Sequence, residues 1–321
     1  MRISVWEGEG LRDATLEELG KSLNKKTWFD ISDPSVEDME GLADALRVPR
    51  HALIGKLKSN YPHVDSYPEY TKIFAWYLNM KESGKDLSFN MVPLIIFTNG
   101  SVVVTIGRSW TKISEEVAAE FTSPRIASAS VASRVAYLTL SHALESYEHF
   151  VEKFEGEAER FEDEAPPWSR GFYSEAFVIR REASSLLRLL RHFRMLAEAL
   201  TDGKAEVGIP ESDRKLFDGI LERATGAEET TETTQEIMRD LINMHMDTLS
   251  YDMNRAMRLI ASLTVIVGIP SLIGSILGAN TVDSPYSLLL WQVVLISVVA
   301  AGLLALLFYM KGWLGVDGQK L

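Results

Sequence analysis

The sequence predicts a mixed α/β domain that gives way to long helices and ends in two membrane-crossing helices. Three observations carry this. Strand-like runs alternate with helical patterns up to about residue 122. Beyond that point apolar residues recur at helical spacing. Two charge-free runs, 259–277 and 288–310, then close the chain. The expected divisions are residues 1–122, 123–256 and 257–321.

The strands expected in the first part are 3–6, 27–31, 72–78, 94–98 and 101–106. The last two flank Asn99-Gly100, a dipeptide suited to the positive φ angles of a tight hairpin. Helices are expected at 14–23 and 35–46, the second opened by Ser32-Asp33-Pro34-Ser35. A glutamate-rich helix follows over 131–161 and is broken by Glu164-Ala165-Pro166-Pro167. A return helix rich in arginine and leucine covers 172–200, with a loop at 201–210. From about Glu228 no proline or glycine interrupts the pattern until Gly268, so one helix is expected over 228–277. Such a helix is about 75 Å long at ~1.5 Å per residue. It is not stable alone in water and calls for partners.

Each charge-free run matches the bilayer. At ~1.5 Å per residue, 259–277 gives about 28 Å of helix against a hydrocarbon core of about 30 Å. Gly268, Pro270 and Gly274 lie within it and are tolerated in membrane helices. A hairpin of core helices in a soluble protein is the competing reading, but two charge-free runs of spanning length argue against it. The connection from Gly278 to Ser287 is short, so the two spans are antiparallel. Arg255 and Arg258 precede the first span, Lys311 follows the second, and the connection has no Lys or Arg. The positive-inside rule then places both termini in the cytoplasm and the connection outside. The N-terminus has no long apolar stretch of the signal-peptide kind. The expected location is the cell (inner) membrane, with two passes.

Composition excludes several functions. A net charge of −12 argues against nucleic-acid binding, which needs a basic footprint, and is compatible with attracting cations. With no cysteine there is no disulfide, thiolate metal site or cysteine nucleophile. No phosphate-binding glycine loop or Ser-His-Asp pattern stands out, and no enzyme activity or covalent cofactor is expected. Glu145 and His149 stand four apart on a helix with His142 nearby, and His245 lies on the long helix beside its polar residues. Either group could contribute to a metal site, though pairs such as Glu145 and His149 on charged helices are more often solvated faces.

The long helix carries the functional signal. At about 100° per residue, Glu236, Asp240, Asn243, Asp247, Ser250 and Asn254 project within roughly 40° of one line. Ile237, Leu241, Met244, Met246, Leu249 and Met253 point elsewhere and can pack. The same line continues through Ala261, Val265, Gly268 and Leu272, so it passes from acidic to small and apolar. A solvated outer face would look acidic too. Its direct continuation into a membrane span favours one subunit of a helix bundle around a pore, with acids concentrating cations and apolar rings gating.

These residues carry a family resemblance. Asn254-Arg255-Ala256-Met257-Arg258, an apolar span, Gly278-Ala279-Asn280, and a second span ending Lys311-Gly312-Trp313-Leu314 resemble the CorA metal-ion transporters, whose signature is Gly-Met-Asn at the end of the first of two spans. Trp28-Phe29-Asp30, the helix with Glu37-Asp38, Pro62-His63-Val64-Asp65, Tyr70 to Phe74 and the Asn99-Gly100 hairpin follow in the family's order. The resemblance implies a funnel-shaped homopentamer in the lipid bilayer. Its α/β/α cytoplasmic domain leads to a stalk helix continuous with the pore-lining span, and the second span is peripheral.

The same resemblance implies the site residues. Gly278, Ala279 and Asn280 form the outer mouth, with Asn280 offering carboxamide oxygens to a hydrated cation. Asn254 is the inner polar ring, and Asp247, Asn243 and Asp240 lie below it. Met257, Ile260 and Gly268 are the constriction. A divalent cation is implied as cargo and as regulatory ligand, with Glu236, Asp240 and Asp247 able to serve in regulation. The chain departs from the pattern in four places. Ala279 replaces the signature methionine, and Gly268 stands where a bulky apolar gate is common. The loop's only charge is Asp283, and the tail has Lys311 and Lys320 rather than a lysine run. Magnesium, zinc, cobalt and nickel therefore all stay open as the cargo. A membrane scaffold or signalling protein that keeps the fold without transport is the alternative.

Overall fold

The computed structural model describes residues 1–7, 10–53, 61–80, 87–108, 111–124, 126–164, 171–278 and 289–314. The chain divides into two compact units, Met1–Ile242 and Asn243–Leu321.

The first unit opens with β1 (Arg2–Glu7), β2 (Gly10–Asp13), α1 (Leu16–Lys21), β3 (Thr27–Ser32), α2 (Val36–Leu46) and α3 (Arg50–Leu53). It continues with β4 (His63–Ser66), β5 (Thr71–Met80), β6 (Phe89–Thr98), β7 (Val102–Gly107) and α4 (Thr111–Glu120). The strands form one seven-stranded sheet in the order β2-β1-β3-β7-β6-β5-β4. Among the described residues only β3 and β7 pair in parallel; the other pairs are antiparallel.

Alternation along the strands builds two cores. Trp28, Ile73, Leu94, Ile96 and Val103 face one side, where they pack with α4 and the long helices that follow. Phe29, Ile31, Phe74, Ile95, Phe97 and Val104 face the other, against Leu19 of α1 and Met39, Leu42 and Ala43 of α2. The result is an α/β/α sandwich, as period-two side chains on a doubly covered sheet require.

Local chemistry sets the joints. Ser35 and Asp38 form a reciprocal capping box at α2, with N–H to oxygen distances of 3.1 and 2.9 Å. Asn99 Oδ1 accepts from the backbone N–H groups of Ser101 and Val102, and Gly100 has φ +88°, which closes the expected hairpin. Gly208 has φ +99°, and a Cβ there would meet Thr98 Cγ2 at 2.3 Å. Only glycine lets the loop after the return helix lie against this hairpin.

Some boundaries differ from expectation. β6 begins at Phe89, before Pro93 rather than after it. Proline is tolerated because β7 pairs only with Leu94–Thr98, leaving one edge of the first half of β6 free of ladder bonds. β2, α3, β4 and α4 are not foreseen. His63–Ser66 and Gly10–Asp13 are short and largely polar, so burial pattern does not announce them.

The helical part begins with α5 (Val131–Asp163) and α6 (Phe172–Thr201). A 3-10 turn (Glu211–Phe217) leads into α7 (Asp218–Gly278). Thus α7 starts ten residues before the expected Glu228, tolerating Gly219 and Gly226. Asp213, buried in the 3-10 turn, accepts the Ser130 backbone N–H at 2.8 Å and caps α5 from across the fold. Glu228 of α7 accepts from Arg194 Nε at 2.7 Å and Arg191 Nε at 3.3 Å of α6. The second unit holds the remainder of α7 and α8 (Leu290–Met310).

Candidate functional site

Every expected pore residue that is described lies on α7. Asp240 belongs to the first unit; Asn243, Asp247, Asn254, Met257, Ile260 and Gly268 belong to the second. Each of them is exposed in the single chain, as is Glu236. On a continuous helix their spacing keeps the polar members on one side. Gly278 is the last residue of α7, and Ala279 and Asn280 lie outside the described residues. Asp283 and Lys320 lie outside them as well.

The residues expected to pack divide sharply. Leu241 is buried and Ile237 half-buried in the first unit. Met244, Met246, Leu249 and Met253 are between 45% and 62% exposed. Beyond Ile242, therefore, both the polar stripe and the apolar flanks of α7 are uncovered in one copy.

The apolar part of α7 handles its polar atoms internally. Ser262 Oγ donates to Leu259 O, Thr264 Oγ1 to Ile260 O and Ser271 Oγ to Val267 O, all at 2.8 Å. Such bonds suit hydroxyls in hydrocarbon, where no water competes. Pro270 lies inside the helix and removes one backbone donor there. This part of α7 and all of α8 are each long and apolar enough to cross a membrane. After α8, Trp313 stacks on Phe308 at 5.4 Å.

The candidate transition-metal residues rearrange relative to expectation. Glu145 lies beside His142, at 3.4 Å from Nδ1. His149 is exposed and its ring contacts Phe150. The structure adds Glu116 and Glu120 of α4, at 3.9 Å from His142 Nδ1 and 3.6 Å from Nε2. Sequence spacing could not find them, because they sit on another helix. Among the described residues no three His, Asp or Glu side chains already converge as a metal cluster. His245 is half-buried on α7.

The sequence matches the family described as CorA-like Mg2+ transporter protein over residues 24–311. The chain therefore belongs to this family of membrane-embedded metal transporters. Its fold is similar to the complete CorA magnesium transporter of Methanocaldococcus jannaschii, with TM-score 0.76, 17% identity and 98% of each chain covered. It is also similar to the full-length CmaX protein, with TM-score 0.72, 19% identity and 98% of each chain covered. The ZntB cytoplasmic domain of Vibrio parahaemolyticus aligns with TM-score 0.60 and 13% identity, covering 78% of this chain and 98% of that one. Among curated proteins none matches the chain. The mixed α/β domain, long stalk helix and two C-terminal spans read from the sequence are thus the family's architecture.

Proposed function

We propose that this chain conducts divalent cations through a homopentameric pore lined by α7, by passive or potential-driven flow. The observation that carries the reading is the change of character along α7. Exposed Asp240, Asn243, Asp247 and Asn254 give way on the same line to Ala261, Val265, Gly268 and Leu272, while Met257 stands about 60° and Ile260 about 120° to one side at 100° per residue. Acidic and amide oxygens raise the local cation concentration, and an apolar ring gates by excluding water. Symmetry around one axis would bring five such stripes together, and the uncovered Met and Leu flanks would pack between neighbours.

In this reading Asn280 and Gly278 form the outer mouth with Ala279, and the termini lie in the cytoplasm. Magnesium sheds its water reluctantly, so a neutral carboxamide suits capture of the hydrated ion. The magnesium transporter among the similar folds supports magnesium; the altered mouth keeps zinc, cobalt and nickel as candidates. Glu236, Asp240 and Asp247 are the candidates for regulatory cation binding. The test is divalent flux into liposomes by Asn280→Ala. Flux should fall severalfold while the oligomer stays intact; flux equal to the unchanged protein would remove Asn280 from the pathway.

A further inference from the structure

Beyond Ile242 the polar residues of α7 follow a stricter rule than a straight line. Asn243, Asp247, Ser250 and Asn254 are separated by steps of four, three and four. The same alternation carried on reaches Met257, Ala261, Thr264, Gly268, Ser271 and Ser275, and ends on Gly278, the last residue of the helix. Its period is about 3.5 residues, and a straight helix drifts from such a seam by about 20° in every seven. Between Leu259 and Leu277 every Leu, Ile and Val lies off the seam, and three of the four hydroxyl residues lie on it. From Asn243 to Ser275 each seam residue is exposed. Cover falls on the opposite side of the helix. There Ser262, the fourth hydroxyl, is buried, and Ile266, Pro270 and Ile273 are half-buried, in a unit whose other described helix is α8.

We propose that copies of α7 wind around one another with a left-handed twist, which puts the hydroxyl oxygens of Thr264, Ser271 and Ser275 on the ion path and leaves Met257 as its one bulky apolar side chain. This rests on α7 as the pore lining and names the residues that meet the ion. A seven-residue repeat with steps of three and four keeps one seam facing the axis when the helices supercoil left-handedly. Winding brings Met257 onto the path, where a straight helix holds it to one side. It also takes Val265 and Leu272 off the path and replaces them with Thr264 and Ser271. These two hydroxyls donate inside the helix, to Ile260 O and Val267 O at 2.8 Å. Their oxygen lone pairs stay available to a cation or its water, and oxygen is the donor that hard divalent ions take. The competing role for small residues in lipid is close helix packing, where the seam would be dry. Access to water separates the two.

The chain has no cysteine, so a single introduced thiol reports access directly. Met257→Cys, Thr264→Cys and Ser271→Cys are compared with Ile260→Cys, Val265→Cys and Leu272→Cys in the full chain, oligomeric in liposomes without divalent metal. A cationic thiosulfonate reagent that does not cross the bilayer is present on both sides, and mass spectrometry reads the rates. The first three should react about tenfold or more faster than the second three, because a thiol in apolar surroundings stays protonated and inert. Val265→Cys or Leu272→Cys reacting as fast as Thr264→Cys and Ser271→Cys would overturn the winding while leaving a pore in place. Ile260→Cys reacting as fast as Met257→Cys would overturn Met257 as the one bulky residue on the path. If none of the six reacts while Ser250→Cys does, the pore falls together with its register.

Discussion

Asp213 shows how a single side chain holds distant parts of this fold. It is 8% exposed and joins the 3-10 turn to the first turn of α5. Burial alone would raise its pKa, but hydrogen bonds from the Ser130 backbone, Ser133, Ser212 and the Ser130 hydroxyl outweigh this and hold it lowered. A lowered folded pKa means the stabilisation is present above the unfolded value of about 3.9. It is lost as pH falls through the folded value. Asp213→Ala should cost about 2–3 kcal/mol at neutral pH, since hydrogen bonds to a charged group are the stronger kind. Chemical denaturation across pH checks both points: the variant's deficit should shrink in acid, and a pH-independent deficit would contradict the assignment. Trp28 offers a gentler test. Its Nε1–H donates to Thr105 Oγ1 at 2.9 Å, and Thr105 Oγ1–H donates to Asp30 Oδ1 at 2.6 Å. Trp28→Phe keeps the ring in the core and removes the donor, so denaturant titration should show a loss of about 1 kcal/mol or somewhat more.

Among the elements, the long helices were the most legible. Sustained apolar spacing in α5, α6 and α7 overrides weak local propensity, and in the sequence Pro166-Pro167 breaks the helical pattern between the first two. The start of α7 was less legible because Gly219 and Gly226 read as breakers, whereas Ile220 and Ala224 are buried and pack that turn into the core. α4 was missed because Ser114, Glu115 and Glu116 interrupt its apolar face, leaving Ile113 and Val117 to anchor it. The register between α6 and α7 rests on Glu228, which is 15% exposed and shared by Arg191 and Arg194. The two arginines are themselves 47% and 34% exposed, so screening keeps the value modest. Glu228→Ala should destabilise by about 1–2 kcal/mol, and the difference should narrow with added salt. An unchanged denaturation midpoint would show that packing alone sets the register.

At the scale of the whole molecule, the sequence carries two kinds of message. The alternation of Trp28, Phe29, Ile73 and Phe74 between sheet faces fixes the sandwich, and the charge-free runs mark the spans. Family membership over residues 24–311 persists although identity to the similar structures is below 20%, because burial patterns outlast particular residues. The candidate pathway was legible as a stripe because its residues share one helix. The His142 group was not, because Glu116 and Glu120 reach it only through the packing of α4 on α5. In the proposed reading the pathway forms only where copies of α7 meet, so its chemistry belongs to the assembly and not to the spacing of one chain.

The most direct measurement is uptake of magnesium, zinc, cobalt and nickel into liposomes holding the unmodified protein, followed with a divalent-sensitive dye. The expected result is saturable entry of at least one of these ions, faster with an inside-negative potential. Protein that is inserted and oligomeric yet passes none of the four would contradict a conducting pathway and leave a membrane scaffold in its place.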